Sequence, residues 1–448
     1  MKNQRIRMGI RPIQILPISF LAVILLGSVL LALPASRADG VAIPYFDALF
    51  TATSATCVTG LTVVTTAEFS VFGQVVILFL MQIGGLGIMV LTAGLFRLVG
   101  KRTSLFERMT IAENLGESSL YGLRHVALSA VKYTFAVEAA GALLLMLRFI
   151  PQYGRKGIFY GIFHSVSAFC NAGFDLLGSD SLMGYVGDPL VSLVIMALIV
   201  LGGIGFAVAL ESGHAILRKK VRMRFVTKLV LLATAVLIVT GTVLTLVFEW
   251  ANPDTLGPLT VPQKILAAAF QSVTLRTAGF ATIDQALMTE PTKLFGILWM
   301  LIGGSPAGTA GGLKTTTFVV LFCGVLSVLR GEQQVRIRKH SLSRELVFRA
   351  LAIVTIALLL ICMGLFVFCL AERASGFALL DGLYELVSAI CTVGLSVGIS
   401  AAAGRVTQLV LILLMFIGRV GMITFALSLT RTGKAMHIHY PEENIPIG

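Results

Sequence analysis

Thr56-Cys57-Val58-Thr59-Gly60 puts backbone carbonyls and threonine hydroxyls within five residues, the oxygen set that can replace the water shell of a dehydrating cation. The stretch lies within Ser54 to Thr62, and versions of it return three times. Ser167 to Phe174 contains Cys170-Asn171-Ala172-Gly173, Val273 to Phe280 contains Arg276-Thr277-Ala278-Gly279, and Ser388 to Leu395 contains Cys391-Thr392-Val393-Gly394. Gly60, Gly173, Gly279 and Gly394 follow one another at steps of 113, 106 and 115 residues, so the chain reads as a fourfold repeat. Glycine at these four positions admits φ > 0, which lets successive carbonyls turn toward one axis. Thr56, Thr59, Thr277 and Thr392 add hydroxyls, while Val58, Ala172, Ala278 and Val393 are compact enough to pack behind the ring. One such glycine would be read as a helix-packing contact. Four in register point to a cation-selectivity filter.

A second register follows each loop: Ile83-Gly84-Gly85-Leu86-Gly87, Leu201-Gly202-Gly203-Ile204-Gly205, Ile302-Gly303-Gly304-Ser305 and Ile417-Gly418-Arg419-Val420-Gly421, with its first glycine 24, 29, 24 and 24 residues after the filter glycine. Two departures stand out. Repeat three continues as Gly303-Gly304-Ser305-Pro306-Ala307-Gly308-Thr309-Ala310-Gly311-Gly312-Leu313-Lys314. At about 1 kcal/mol per Gly and about 3 for Pro relative to Ala, this run predicts a broken helix whose freed backbone must line a cavity, a loop placed to gate the path below the filter. A proline kink alone is the plainer alternative. In repeat four Arg419 takes the place of Gly85, Gly203 and Gly304, and a charge at that depth needs a cavity or a partner. Its guanidinium is expected on loop oxygens between Gly304 and Thr309. Lys314 is expected to anchor the following helix at the inner interface.

These loops must be held by elements that suit a bilayer. With 56% hydrophobic residues, 13% charged and a mean hydropathy of +0.92, the composition excludes a water-soluble globule. The net charge of +13 is divided among short loops instead of forming a nucleic-acid patch. Apolar runs long enough to cross lie near 13–33, 72–99, 126–149, 189–211, 226–249, 293–329, 346–370 and 406–430. They make eight spans in four pairs, and each pair brackets a segment of about 10–12 residues, too short to cross and so re-entrant. The predicted fold is an all-α polytopic membrane protein of four tandem helix–re-entrant pore loop–helix repeats around one pseudo-fourfold pore. The repeats occupy 1–100, 101–218, 219–332 and 333–430, with a cytoplasmic tail at 431–448. Lys and Arg divide 24 to 8 between the two sides, which puts both termini inside and opens the Gly loops outward. The N-terminal apolar run resembles a signal peptide up to Ala38, but the other repeats possess its counterpart, so a retained helix is expected. The six cysteines lack metal or disulfide spacing. Residues 105–117 read as an amphipathic surface helix or a docking site for a cytoplasmic partner.

Cys57-Val58-Thr59-Gly60-Leu61, Asn171-Ala172-Gly173-Phe174, Arg276-Thr277-Ala278-Gly279-Phe280 and Thr392-Val393-Gly394-Leu395 resemble the four pore loops of the Trk/Ktr/HKT superfamily of potassium transporters, along essentially the whole chain. Eight spans without an extra N-terminal hairpin place the resemblance in its Ktr branch. The resemblance implies potassium at the filter carbonyls, because sodium-selective members often carry serine at the position of Gly60. It also implies an intramembrane gating loop and a homodimer joined through a Tyr-Pro-Glu tail such as Tyr440-Pro441-Glu442. A cytoplasmic KtrA-like ring of RCK-type nucleotide-binding subunits, with nucleotide bound only there, and sodium as an activator follow from it too, as does location in a bacterial inner membrane. Arg276 has a counterpart in the family and is expected behind the filter, braced by Glu385 or Asp47. Cysteines 57, 170 and 391 are expected to pack as small thiols. A secondary cation permease is the rival reading. An intramembrane enzyme is a weaker one, since Glu138 stands without a sequence partner for catalysis.

Overall fold

A computed structural model of the chain describes residues 12–87, 123–217, 223–332, 334–337 and 340–429. Repeat one comprises α1 (Pro12–Leu31), α2 (Tyr45–Cys57) and α3 (Val71–Leu86). Repeat two comprises α4 (Leu123–Tyr153), α5 (Lys156–Phe169), α6 (Pro189–Gly203) and α7 (Phe206–Leu217). Repeat three comprises α8 (Phe225–Glu249), α9 (Val261–Thr274), α10 (Glu290–Leu301), α11 (Thr315–Leu329) and a hairpin of β1 (Arg336–Ile337) and β2 (His340–Ser341). Repeat four comprises α12 (Arg344–Ala371), α13 (Leu379–Ile390), α14 (Arg405–Val420) and α15 (Met422–Leu429). The surface helix expected at 105–117 and the tail at 431–448 lie outside the described residues.

The first helix of each repeat, α1, α4, α8 or α12, is unbroken and runs 20 to 31 residues, which at 1.5 Å per residue crosses a hydrocarbon core of about 30 Å. Their outward faces expose Leu143, Leu147, Val239, Leu359 and Phe366, the surface that lipid requires. The second member of each repeat, α2, α5, α9 or α13, has 12 to 14 residues and stops at the Gly loop, as a re-entrant helix should. The chain is therefore a multi-pass membrane protein with the predicted repeat architecture.

The closing helices correct one expectation. A break was expected in repeat three, and the closing helices of repeats two and four are broken as well, while that of repeat one ends at Leu86 among the described residues. Helix α3 ends at Leu86, α6 and α7 meet at 107°, residues 302–314 separate α10 from α11, and α14 and α15 meet at 98°. The cause is the third glycine of the second register: Gly87, Gly205 and Gly421 have φ of +75°, +91° and +97°, values that end an α-helix and that glycine adopts without a Cβ clash. The first glycine serves close approach instead. A Cβ at Gly84, Gly202 or Gly418 would stand 2.0, 2.0 or 1.9 Å from the carbonyl oxygen of Thr56, Phe169 or Ile390, at the inner end of the pore helix of its own repeat.

Polar staples fix the outer ends. Buried Glu249, at the end of α8, accepts from Thr289 N–H, Thr289 Oγ1 and Thr292 Oγ1 on one carboxylate oxygen, and from Asn252 Nδ2 and Thr255 Oγ1 on the other. Glu372, after α12, accepts from Gly404 N–H and Thr407 Oγ1 in the same way. Each carboxylate ties the first helix of its repeat to the start of the last. Two seams between repeats are closed by ion pairs, Lys293 to Asp381 at 2.8 Å and Arg405 to Asp47, which bonds both carboxylate oxygens. The second pair joins repeat four to repeat one and closes the circle.

Removing the Glu249 carboxylate takes an acceptor from five donors, of which Asn252 Nδ2 keeps Leu287 O and the Thr289 and Thr292 hydroxyls keep each other. Glu249→Ala is therefore expected to lower stability by at least about 3 kcal/mol, read as a lower midpoint of thermal unfolding in detergent, with Glu249→Gln recovering part of the loss.

Candidate functional site

The four Gly loops meet as a closed ring. A Cβ at Gly60 would stand 2.6 Å from Ala172 O, at Gly173 2.8 Å from Ala278 O, at Gly279 2.8 Å from Val393 O, and at Gly394 1.8 Å from Thr59 O. Each glycine thus abuts the carbonyl just before the glycine of the next repeat, and the fourth returns to the first. The glycines have φ from +71° to +99°. Two residues earlier, Val58, Asn171, Thr277 and Thr392 also lie in the left-handed region, at +56°, +56°, +67° and +51°. Four non-glycine residues held there by one pattern mark a backbone constrained for its carbonyl directions. The pore helices point their carbonyl ends at this ring, each contributing roughly half a negative charge. The Oγ1 atoms of Thr56, Thr59, Thr277 and Thr392 are buried and have no hydrogen-bond partner within the chain.

Each loop is tied back to its own pore helix by a hydroxyl that the sequence reading passed over. Ser54 and Ser388 accept from the N–H of Gly60 and Gly394 at 3.0 and 3.1 Å, while Ser167 and Thr274 donate to Phe174 O and Phe280 O at 2.7 and 2.6 Å. The signal was present: a Ser or Thr stands five or six residues before every filter glycine.

Behind the ring the repeats differ. Arg276, 4% exposed, does not meet the carboxylates expected for it. Asp47 is engaged by Arg405, and Glu385 accepts from Ser396 Oγ, Val397 N–H, Ser400 N–H and Ser400 Oγ, bracing the outward return of its own loop. Arg276 Nη2 instead reaches Thr234 Oγ1 on α8 at 3.4 Å, and its Nε has no partner. Both carboxylates lie toward the outer side of their pore helices, whereas Arg276 follows an inner helix end. The cysteines at 57, 170 and 391 are free and buried. Cys170 lies 3.7 Å from Gln82 Oε1 and 3.9 Å from Glu138 Oε1, and Gln82 Nε2 is 3.3 Å from Glu138 Oε2. Glu138, without a partner in the sequence pattern, therefore has an amide and a thiol beside it.

Below the ring, residues 302–314 form an irregular loop. Ser305 N–H and Thr309 N–H donate to Gly203 O and Gly202 O, and Phe206 N–H donates to Ala307 O. Gly303 N–H donates to Leu313 O, Thr315 Oγ1 donates to Gly303 O, and Lys314 Nζ donates to Ala310 O at 2.8 Å, so the lysine ties the loop itself. A Cβ at Gly308 would meet Gly202 O at 3.0 Å, at Gly304 the Ala310 Cβ at 2.3 Å, and at Gly311 the Thr392 Oγ1 at 1.8 Å. A Cβ at Gly312 would stand 3.2 Å from Cys391 O. Half-buried Pro306 turns the loop against Gly205, where a Cβ would stand 2.4 Å from Pro306 O. Arg419 Nη1 donates to Thr309 O at 2.5 Å, and its Nη2 donates to Gly84 O. The expected contact between Arg419 and the loop is thus present, and the same guanidinium also holds repeat one.

Above the ring a cavity of about 490 Å³ is lined by the four glycines and by the carboxylates of Asp175, Asp180 and Asp284, with no Lys or Arg in its wall. Burial pushes the Asp175 carboxyl up to about 6, against the bonds it accepts from Leu177, Ser181 and Gly178.

The sequence profile of the family described as TrkH, cation transport protein, matches residues 6–437. The chain is 40% identical to Ktr system potassium uptake protein B of Bacillus subtilis over 439 residues, covering 98% of this chain and 97% of that one. It is 39% identical to the protein of the same name from Vibrio alginolyticus, covering 97% and 94%, and 37% identical to potassium/sodium uptake protein NtpJ of Enterococcus hirae, covering 100% and 99%. Among solved structures, the potassium transporter TrkH of Vibrio parahaemolyticus superposes with a TM-score of 0.72 at 19% identity, over 96% of this chain and 87% of that one, a likeness of fold.

Gly394 and Gly398 separate the two demands on a ring glycine, since both have φ near +90° but only Gly394 faces an atom, Thr59 O at 1.8 Å. Gly398→Ala should cost about 1 kcal/mol from the backbone alone. Gly394→Ala should cost at least twice that, measured as the loss of unfolding temperature in the same detergent.

Proposed function

The chain belongs to the TrkH family of cation transport proteins, and from that premise we propose that it is the potassium-translocating membrane subunit of a Ktr-type uptake system. Transport, not covalent chemistry, is the task of its relatives. The observation that carries the reading is the closed ring, in which carbonyls of four repeats converge beside four threonine hydroxyls without a partner. Oxygens left unpaired in a buried site are costly unless a cargo supplies the missing interaction. A potassium ion shedding its water supplies it, Thr56, Thr59, Thr277 and Thr392 sharing the work with the carbonyls of loops 56–60, 170–173, 276–279 and 391–394.

The rest of the permeation path follows from the same geometry. The acidic outer cavity concentrates cations above the ring. The loop 302–314, braced by Arg419, closes the path beneath it, and its glycines give its backbone the conformational freedom to move away. The guanidinium beside that loop adds an electrostatic barrier to a passing cation. Control by a cytoplasmic KtrA-like RCK ring, activation by sodium, a homodimeric assembly and an inner-membrane location complete the proposal, as the resemblance to the Trk/Ktr/HKT superfamily implies, and the charge distribution supports both termini being cytoplasmic.

Potassium uptake into proteoliposomes, with sodium and sucrose as controls, tests the reading. Gly60→Ser places a Cβ 2.6 Å from Ala172 O at φ +99°, displacing one carbonyl of the ring. The variant should retain cation uptake while the potassium-to-sodium ratio falls by an order of magnitude, about 1.4 kcal/mol of discrimination. An unchanged ratio removes Gly60 from the filter.

Asp175 gives a pH dependence of known sign. Its carboxyl is charged above about 6 and neutral below. Potassium uptake at limiting concentration should therefore decline as the external pH falls from 7.5 to 5, and Asp175→Asn should flatten that decline.

A further inference from the structure

Thr309 joins the intramembrane loop to the Asn171 side chain of the ring through its hydroxyl, as Leu313 N–H joins it to the Cys391 thiol. It is fully buried, and all its polar groups are committed. Its N–H donates to Gly202 O at 3.1 Å, and its carbonyl accepts from Arg419 Nη1 at 2.5 Å. Its hydroxyl lies 2.9 Å from Phe169 O and 3.2 Å from Asn171 Oδ1. A hydroxyl has one proton, so these two oxygens compete for it. The pore helix of repeat two, the closing helix of repeat two and the arginine of repeat four thus converge on a single loop residue.

Asn171 stands two residues before Gly173, the level at which repeats three and four carry Thr277 and Thr392. Those two hydroxyls have no partner, and the fourth residue at this level, Val58, has no side-chain oxygen. Of the three polar side chains at the inner end of the ring, Asn171 is therefore the one whose oxygen the loop holds. Its amide contributes little restraint of its own, because Nδ2 is 3.5 Å from Arg276 O. The left-handed φ of +56° makes its backbone depend on the surrounding contacts.

We propose that Thr309 is a positioning residue that couples ion discrimination to the loop: with the loop seated, its hydroxyl holds Asn171 Oδ1, and displacement of the loop frees that oxygen for ions at the inner end of the ring. The coupling rests on the pore-and-gate reading above and adds regulation to it. Loop movement then changes the ligand set of the filter as well as opening the path.

Thr309→Val keeps the shape and both backbone bonds and removes only the hydroxyl. In proteoliposomes the potassium-to-sodium uptake ratio of Thr309→Val should fall about fivefold, the worth of one neutral hydrogen bond, and Thr309→Ser should restore it. If uptake of both ions changes by one common factor and the ratio stays at the parental value, the hydroxyl serves the loop alone and the coupling is overturned. Should Thr309→Val fail to fold, Asn171→Thr gives repeat two the side chain of repeats three and four, and it must shift the ratio by a similar factor; an unchanged ratio overturns the proposal equally. Absence of potassium uptake by the parent protein would overturn the pore reading and this inference with it, whereas an unchanged ratio with uptake intact removes only the coupling.

Discussion

Every glycine of the ring stands where a methyl group would strike the carbonyl of the neighbouring loop, from Gly60 against Ala172 round to Gly394 against Thr59. That contact closes a circle between segments separated by up to some 330 residues of chain, and it can close only if all four loops reach one plane. The lengths of the pore helices, 12 to 14 residues, set that plane part way into the bilayer. Ser54, Ser167, Thr274 and Ser388 then hold each loop to its own helix, so that a loop cannot slide along the axis without breaking a buried hydrogen bond.

The ring is close to symmetric, and its support is not. The place behind the loops is taken by cysteine in three repeats and by Arg276 in one. The outward returns are fastened by different groups: Glu385 takes the Val397 and Ser400 amides, His164 Nε2 accepts from Leu176 N–H, and Gln271 pairs with Gln285. Such variety is expected when four copies share one constraint on the backbone at the axis and face separate packing problems elsewhere. It allows the ring to keep one carbonyl geometry while each repeat meets a different neighbour below.

Much of this was legible in the sequence because glycine is informative where only glycine fits. The four ring glycines and the irregular loop of repeat three were found that way. Arg419 was found by the cost of a charge at that depth. The helix breaks at the second register were not legible in the same way. Gly87, Gly205 and Gly421 differ from Gly84, Gly202 and Gly418 only in φ, which a sequence does not display. Arg276 was misread for a related reason. Opposite charge suggested Asp47 or Glu385, but both carboxylates are already engaged, Asp47 by Arg405 and Glu385 by amides and hydroxyls of its own repeat. The left-handed Val58, Asn171, Thr277 and Thr392 left no signal, because no common residue type marks them.

The breaks in the closing helices solve one another. A helix that stops inside a bilayer leaves its last carbonyls unpaired, and lipid offers them no donor. Helix α3 stops at Leu86, and the carbonyl of Gly84 takes the guanidinium of Arg419. Helix α6 stops at Gly203, and the carbonyls of Gly202 and Gly203 take the N–H groups of Thr309 and Ser305, donors freed because repeat three is itself not helical there. The loop carbonyl at Thr309 takes the remaining arm of Arg419. Among these groups no carboxylate is needed to hold the arginine, because helix ends present partial negative charge where it lies. The interruption of repeat three is therefore sustained by the helix ends at Leu86 and Gly203 in repeats one and two and by a side chain from repeat four. It follows that loop movement cannot be a local event. Displacing Thr309 exposes carbonyls of α6 and frees Arg419 from the loop, and only water entering the cavity can satisfy both. If the loop is the gate proposed above, opening of the path and its hydration are for that reason one step.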